Sequence, residues 1–158
     1  LSGIYWDYER RIMGLDQYAG LRDSNGKVHI DFENVYSDNY DPTKSGFYWR
    51  KHARLQVFMN KQFKKQLSEK KHNTVDDLQH LGFNAGEGGV RITEEVIKEL
   101  EEQIKNNYYD CFAHDGFFWG QQFQEEAVKE YKAQDKKFIK WAKEQLKQGR
   151  LIGYDCSW

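Results

Sequence analysis

Hydrophobic and polar positions alternate on both sides of Asp23-Ser24-Asn25-Gly26, a tetrapeptide whose Asn-Gly step suits a tight chain reversal. Val28, Ile30 and Phe32 alternate with Lys27, His29 and Asp31, so Leu15 to Arg22 and Lys27 to Phe32 are predicted as a β-hairpin. Ser37 to Gly46, with Asp38, Asn39, Asp41 and Pro42, reads as a polar loop. From Trp49 to Leu67 the period changes. Leu55, Met59, Phe63 and Leu67 recur at helical spacing, with Phe58 beside them, and predict the first helix.

His72 to Asn84 reads as a loop with a short helical turn around Asp76 to Leu78, and Gly86, Gly88 and Gly89 precede a short strand, Val90 to Ile92. Thr93 followed by Glu94 and Glu95 opens a second helix, a capping hydroxyl ahead of acids on the positive end of the dipole. Val96, Ile97, Leu100 and Ile104 form its buried face, and Asn106-Asn107 ends it. Tyr108 to Gly120 is an aromatic connection. A last helix from about Gln124 to Gln148 carries Ala127, Tyr131, Phe138, Ala142 and Leu146 on one face, with Gly149 suited to its C-terminal cap. Arg150 to Trp158 reads as a closing strand. Strands and helices in this order, without strict alternation, predict an α+β fold: a small antiparallel or mixed sheet packed against about three helices.

Composition adds two constraints. The 158 residues suit a single domain, read here as 13–158, preceded by 1–12. That first stretch starts on Leu1, and two readings stand: an upstream extension before a natural start at Met13, or a genuine N-terminal segment. Aromatic residues make up 16% of the chain, which predicts a core of Phe, Tyr and Trp more than Leu, Ile and Val. Buried Tyr and Trp need partners for their polar atoms, so that core should contain polar seams.

The formal net charge of −1 gives no whole-chain attraction to nucleic acid or to a membrane surface. No apolar run has bilayer length. Cys111 and Cys156 are too few for a disulfide framework and match no metal spacing, which fits reduced thiols in a cytoplasm. No metal or cofactor motif is present. His29, His52, His72, His80 and His114 lack paired helical spacing, and Asp38, Asn39 and Asp41 lack the Gly and terminal Glu of a calcium loop.

The chemistry-bearing candidates cluster in two places. Arg50, Lys51, His52 and Arg54 form a dense basic group at the predicted start of the first helix. Arg50 and Lys51 could clamp a phosphate or carboxylate, with His52 as acid or base, Asp16 and Tyr18 alongside and Trp49 or Trp119 as a wall. Bases in a first helical turn oppose the helix dipole, however. The plainer reading is an Asp16–Arg50 ion pair beside a solvated face. That face continues through Lys61, Lys64, Lys65, Lys70 and Lys71, and could hold nucleic acid unless the acids of the Thr93–Glu102 helix neutralise it. Phe117, Phe118, Trp119 and Trp158 could line a pocket or an interface, or plug the core. Cys111 near His114 suggests a nucleophile pair only weakly.

Four motifs occur in a consistent order: Met13-Gly14-Leu15-Asp16-Gln17-Tyr18, Tyr48-Trp49-Arg50-Lys51, Gly116-Phe117-Phe118-Trp119-Gly120 and the closing Tyr154 to Trp158. Together they resemble an uncharacterised family of small phage and prophage proteins. The match spans Met13 to Trp158, with departures at Asp115 and at Asp155-Cys156. The resemblance implies provenance and boundaries but no reaction. A phosphoglycerate kinase label carried by some members has no counterpart here, because 158 residues do not hold two nucleotide-binding lobes.

The function expected from these readings is non-enzymatic: a phage-type accessory protein acting by binding, either to a host protein or to a second copy. The alternative is a small enzyme or binding domain for a phosphorylated or nucleotide-like ligand at Asp16, Tyr18, Arg50, Lys51 and His52. Nucleic-acid binding through the first helix ranks third.

Overall fold

In a computed structural model, residues 15–71, 89–111 and 120–157 are described, with the side chains at 70–71 and 120–127 excepted. Four strands form one antiparallel sheet: β1 (Asp16–Leu21), β2 (Phe47–Arg50), β3 (Val90–Arg91) and β4 (Ile152–Ser157), in the order β2-β1-β4-β3. Two one-turn helices, α1 (Phe32–Val35) and α2 (Pro42–Ser45), lie between β1 and β2 in the chain. Three long helices, α3 (Ala53–Lys71), α4 (Glu94–Lys105) and α5 (Gly120–Lys147), bury the sheet's inner face. The α+β class expected from the pattern is the one observed.

Alternation along the strands sorts the two faces. Gln17, Ala19, Phe47, Trp49, Ile152, Tyr154 and Cys156 point into the core, while Asp16, Tyr18, Tyr48, Arg50 and Asp155 occupy the other face. The largest wholly buried side chains include Trp49, Tyr108, Tyr154, Phe47, Phe63 and Phe138. Phe138 meets Phe47 and Trp49 edge-on, at 5.3 and 5.5 Å between ring centroids. Among the described residues, Leu, Ile and Val outnumber aromatics in the core. Aromatics fill the sheet–α5 layer, and aliphatics such as Val96, Ile97 and Leu100 fill the α4 side.

Two sequence expectations need correction. The Asp23–Gly26 turn forms, with Asp23 Oδ1 accepting from the Asn25 and Lys27 backbones, but the second hairpin arm is not a strand. Only the Arg22–Val28 bridge survives. Both edges of β1 are already occupied, by β2 and β4, so 28–31 instead crosses the outer face of the sheet. It can do so because Gly20 and Gly153, cross-strand partners, carry no Cβ there; one on Gly20 would lie 2.5 Å from the His29 carbonyl oxygen. Phe32 then begins α1, capped by Asp31, rather than ending a strand.

The second correction concerns the basic cluster. Trp49 and Arg50 lie in β2, Lys51 adopts a left-handed backbone (φ 57°), and the helix starts at Ala53. Phe47-Tyr48-Trp49-Arg50 has the period of two, and the helical stripe begins only at Leu55. The cluster therefore precedes the helix instead of forming its first turn.

Helix α4 starts at its expected Thr93 cap, whose hydroxyl accepts from Val96 N. Helix α5 begins four residues earlier than expected, at Gly120. The closing strand takes an interior place in the sheet, between β1 and β3. Both sheet edges are blunted by side chains. Tyr48 N donates to Tyr40 Oη and Gln134 Nε2 to Tyr48 O along β2, while the Gln66 amide bonds both the N–H and the carbonyl of Arg91 along β3. The segments expected at 1–12 and 72–84, and Phe117, Phe118, Trp119, His114 and Trp158, lie outside the described residues.

Candidate functional site

The sheet separates the sequence-predicted site into two groups that do not meet. Trp49 and His52 go to the core side; Asp16, Tyr18 and Arg50 go to the outer face, with Lys51 at the turn between strand and helix. Trp49 and Arg50 do not wall one pocket among the described residues, because successive strand residues point to opposite faces.

On the core side, Asp135 of α5 is the hub. Its carboxylate accepts from Trp49 Nε1 at 2.7 Å, from His52 Nε2 at 2.8 Å and from Tyr108 Oη at 2.8 Å. His52 is 0% and Asp135 1% exposed. The Nε2 proton directed at the carboxylate leaves Nδ1 as the remaining ring nitrogen, and Nδ1 is buried without a hydrogen-bond partner. The His52 ring is stacked on Tyr131 and edge-on to Tyr108, with centroids 5.6 and 5.2 Å away.

Beside this hub runs a second chain of bonds. Gln17 grips the His52 backbone, its amide donating to the carbonyl at 2.9 Å and accepting from the N–H at 2.8 Å. The same amide donates to Tyr154 Oη, which donates to Gln56 Oε1, whose amide reaches Cys156 Sγ. Burial pushes the Tyr108 and Tyr154 phenols well above their ordinary range and the Cys156 thiol up to about 12. Every member is held protonated or bonded, away from solvent. These are the polar seams that a Tyr- and Trp-rich core requires. Cys111 behaves likewise: burial raises its thiol to about 11, opposite to what a nucleophile needs.

The outer face is different. Along β1 and β2, Asp16 stands opposite Arg50 and Tyr18 opposite Tyr48; Asp155 of β4 flanks Tyr18 on its other side. The expected Asp16–Arg50 ion pair is not formed. Asp16 Oδ1 accepts instead from Tyr48 Oη, and Arg50 has no carboxylate within 4.0 Å among the described residues, its Nε buried and unbonded. Helix α1 lays Phe32 edge-on to Tyr18 and Tyr36 edge-on to Tyr48, with Phe32 and Tyr36 stacked at 6.2 Å. Tyr36 is 68% and Phe32 43% exposed. Partial burial, then the Asp155 charge, pushes Tyr18 up to about 12; burial, then the bond to Asp16, raises Tyr48 further. Desolvation also raises the Asp155 carboxyl.

Among the described residues, clefts of about 500 Å³ between α3 and α4 and about 320 Å³ beside Gly46 and Trp141 lie elsewhere. Neither is lined by Asp16, Tyr18, Arg50, Lys51 or His52. The basic face of α3 is partly answered from within. Lys61 donates to the Asp110 carbonyl, and Glu99 of α4 takes Gln62 and stands 4.0 Å from Lys65. Asp41 caps α2 through Thr43, as an Asx turn would.

Sequence reasoning missed Asp135, Gln17 and the pair Phe32 and Tyr36. A lone Asp among the apolar positions of the last helix was the available signal for the first. Gln17 between apolar neighbours on an inward strand position was the signal for the second. The structure contains no helix, among the described residues, long and apolar enough to cross a membrane. No family model, curated protein or solved structure matches the chain.

Proposed function

We propose that the protein acts by binding another protein rather than by catalysis, and that the partner seats on the outer sheet face formed by Tyr18, Phe32, Tyr36, Tyr48 and Arg50. The observation that carries this reading is the run of four touching rings, two of them exposed, beside an arginine with no acidic partner among the described residues. Tyr and Arg are the residue types that most often dominate binding energy at protein interfaces. The core-side His52–Asp135 pair supports it negatively, since both groups are fully buried and the Asp is already occupied by three donors.

The partner docks through side chains rather than by strand addition, because the outward groups of β2 are taken by Tyr40, Tyr131 and Gln134. Its complementary surface carries an apolar patch for Phe32 and Tyr36 and a carboxylate for Arg50. The resemblance to small phage proteins makes a host protein the expected partner.

The test compares wild type with Phe32→Ser/Tyr36→Ser by affinity capture from host lysate and by sedimentation velocity. A protein captured by the wild type and lost from the variant supports the reading. Recovery of the same proteins by both, with both chains monomeric, removes it.

A further inference from the structure

Helix α5 carries a feature unconnected with that face. Lys129, Lys132, Lys136, Lys140, Lys143 and Lys147 follow one another at intervals of three or four residues. At 3.6 residues per turn they fall within an arc of about 80°, along about 27 Å of helix. No acidic residue shares that arc between Lys129 and Lys147; Glu130 and Glu144 lie outside it, and Asp135 faces the core. The stripe runs along the side of α5 that meets α4, as the bonds from Lys143 to Glu101 and from Lys132 to Asn107 Oδ1 show. Lys98 and Lys105 of α4 are exposed on the neighbouring surface. Glu101 is set into it, and Lys143, then Lys105, hold its carboxyl below the usual range. Lys129, Lys136, Lys140 and Lys147 have no carboxylate within 4.0 Å among the described residues.

We propose that this α5 stripe is a binding surface for the phosphate backbone of a nucleic-acid duplex. The lysines run in one line and only Lys143 among them has a carboxylate within 4.0 Å among the described residues, which matches the linear charge of a phosphodiester chain. The residue type also discriminates. Lysine is depleted at protein–protein interfaces but binds phosphate well as a point charge, so an acidic protein is the poorer fit. A membrane surface is poorer still: the apolar side of α5, with Phe138, Ile139 and Ala142, is buried in the core and cannot insert. A single strand would need aromatic platforms for its bases, and no stripe position is aromatic. The formal net charge of −1 does not reveal this local clustering. Contacts to phosphate alone carry no sequence information, so the binding is sequence-independent.

The test is fluorescence anisotropy of the full chain with a labelled mixed-sequence DNA duplex of about 20 base pairs, titrated with salt from about 50 to 200 mM. Four phosphate contacts predict a log–log slope of about −3.6, a weakening of roughly a hundredfold over that range. Lys136→Glu/Lys140→Glu weakens binding at least about tenfold and flattens the slope by about 2. Glu101→Gln tightens binding several-fold, while Lys61→Glu/Lys64→Glu on α3 leaves it unchanged; circular dichroism confirms that each variant is folded. Should the double α5 variant not fold, Glu101→Gln carries the test alone. The proposal is overturned by no salt-sensitive binding, by an α5 variant that binds as wild type, by loss of binding in the α3 variant, or by equal or tighter binding to poly-glutamate or to anionic phospholipid vesicles.

Discussion

His52 Nε2 and the Asp135 carboxylate meet at 2.8 Å across 83 residues of sequence, in a place no solvent reaches. The pair joins the entrance of α3 to the middle of α5. Trp49 and Tyr108 close on the same carboxylate, so one acid ties together β2, α3, α5 and the end of α4.

Removing that carboxylate leaves three buried donors without an acceptor. Asp135→Ala is predicted to cost at least about 3 kcal/mol of unfolding free energy, the range found when one partner of a buried charge-assisted network is deleted. Urea titration measures it. A loss under about 1 kcal/mol would mean that water or a neighbour already satisfies those donors.

The buried thiols predict a particular alkaline weakness. Cys111 has its folded pKa raised by burial from 9.0 to about 11, so the fold prefers the protonated thiol. Its contribution is intact below the unfolded value and is lost as pH rises through 9 to about 11, since the unfolded chain ionises first. Stability measured against pH should therefore fall across that window, and Cys111→Ala should fall less steeply. Equal slopes would remove Cys111 from the account. At pH 8, thiol reagents should react only after denaturant is added.

Gly20 is where the outer crossing segment touches the sheet. Gly20→Ala would place a methyl 2.5 Å from the His29 oxygen, a backbone atom that cannot turn aside, and should cost about 1–3 kcal/mol. Gly149, with φ +75° and open space around it, is the control: Gly149→Ala meets only backbone strain of roughly 1–2 kcal/mol. Loss of stability in the second variant but not the first would contradict the packing described for 28–31.

Much of the frame was legible because it depends on local chemistry. Thr93 with Glu94 and Glu95 announces α4, and the Asp23–Gly26 turn forms where its residues place it. What sequence could not resolve was competition for neighbours. Whether Val28–Phe32 pairs with β1 depends on β4, which is more than 100 residues away and takes that edge. The same applies to the site. Arg50, Lys51 and His52 are contiguous, so they read as one cluster, but a strand sends alternate residues to opposite faces and the cluster comes apart. Asp135 was legible only as the one Asp on the Tyr131–Phe138–Ala142 stripe, and the donors it serves, from Trp49, His52 and Tyr108, are far away in sequence.

The proposed partner would cover the aromatic face of α1, β1 and β2 in the cell and leave the His52–Asp135 core to hold the fold. Hydroxyl-radical footprinting tests that coverage most directly, comparing the purified chain with the same chain in nuclease-treated host lysate. Tyr36 at 68% exposure and Tyr109 at 74% should be oxidised at similar rates when the protein is pure. In lysate, Phe32 and Tyr36 are predicted to be protected several-fold while Tyr109 is unchanged. Equal oxidation of Tyr36 and Tyr109 in both conditions would contradict the account.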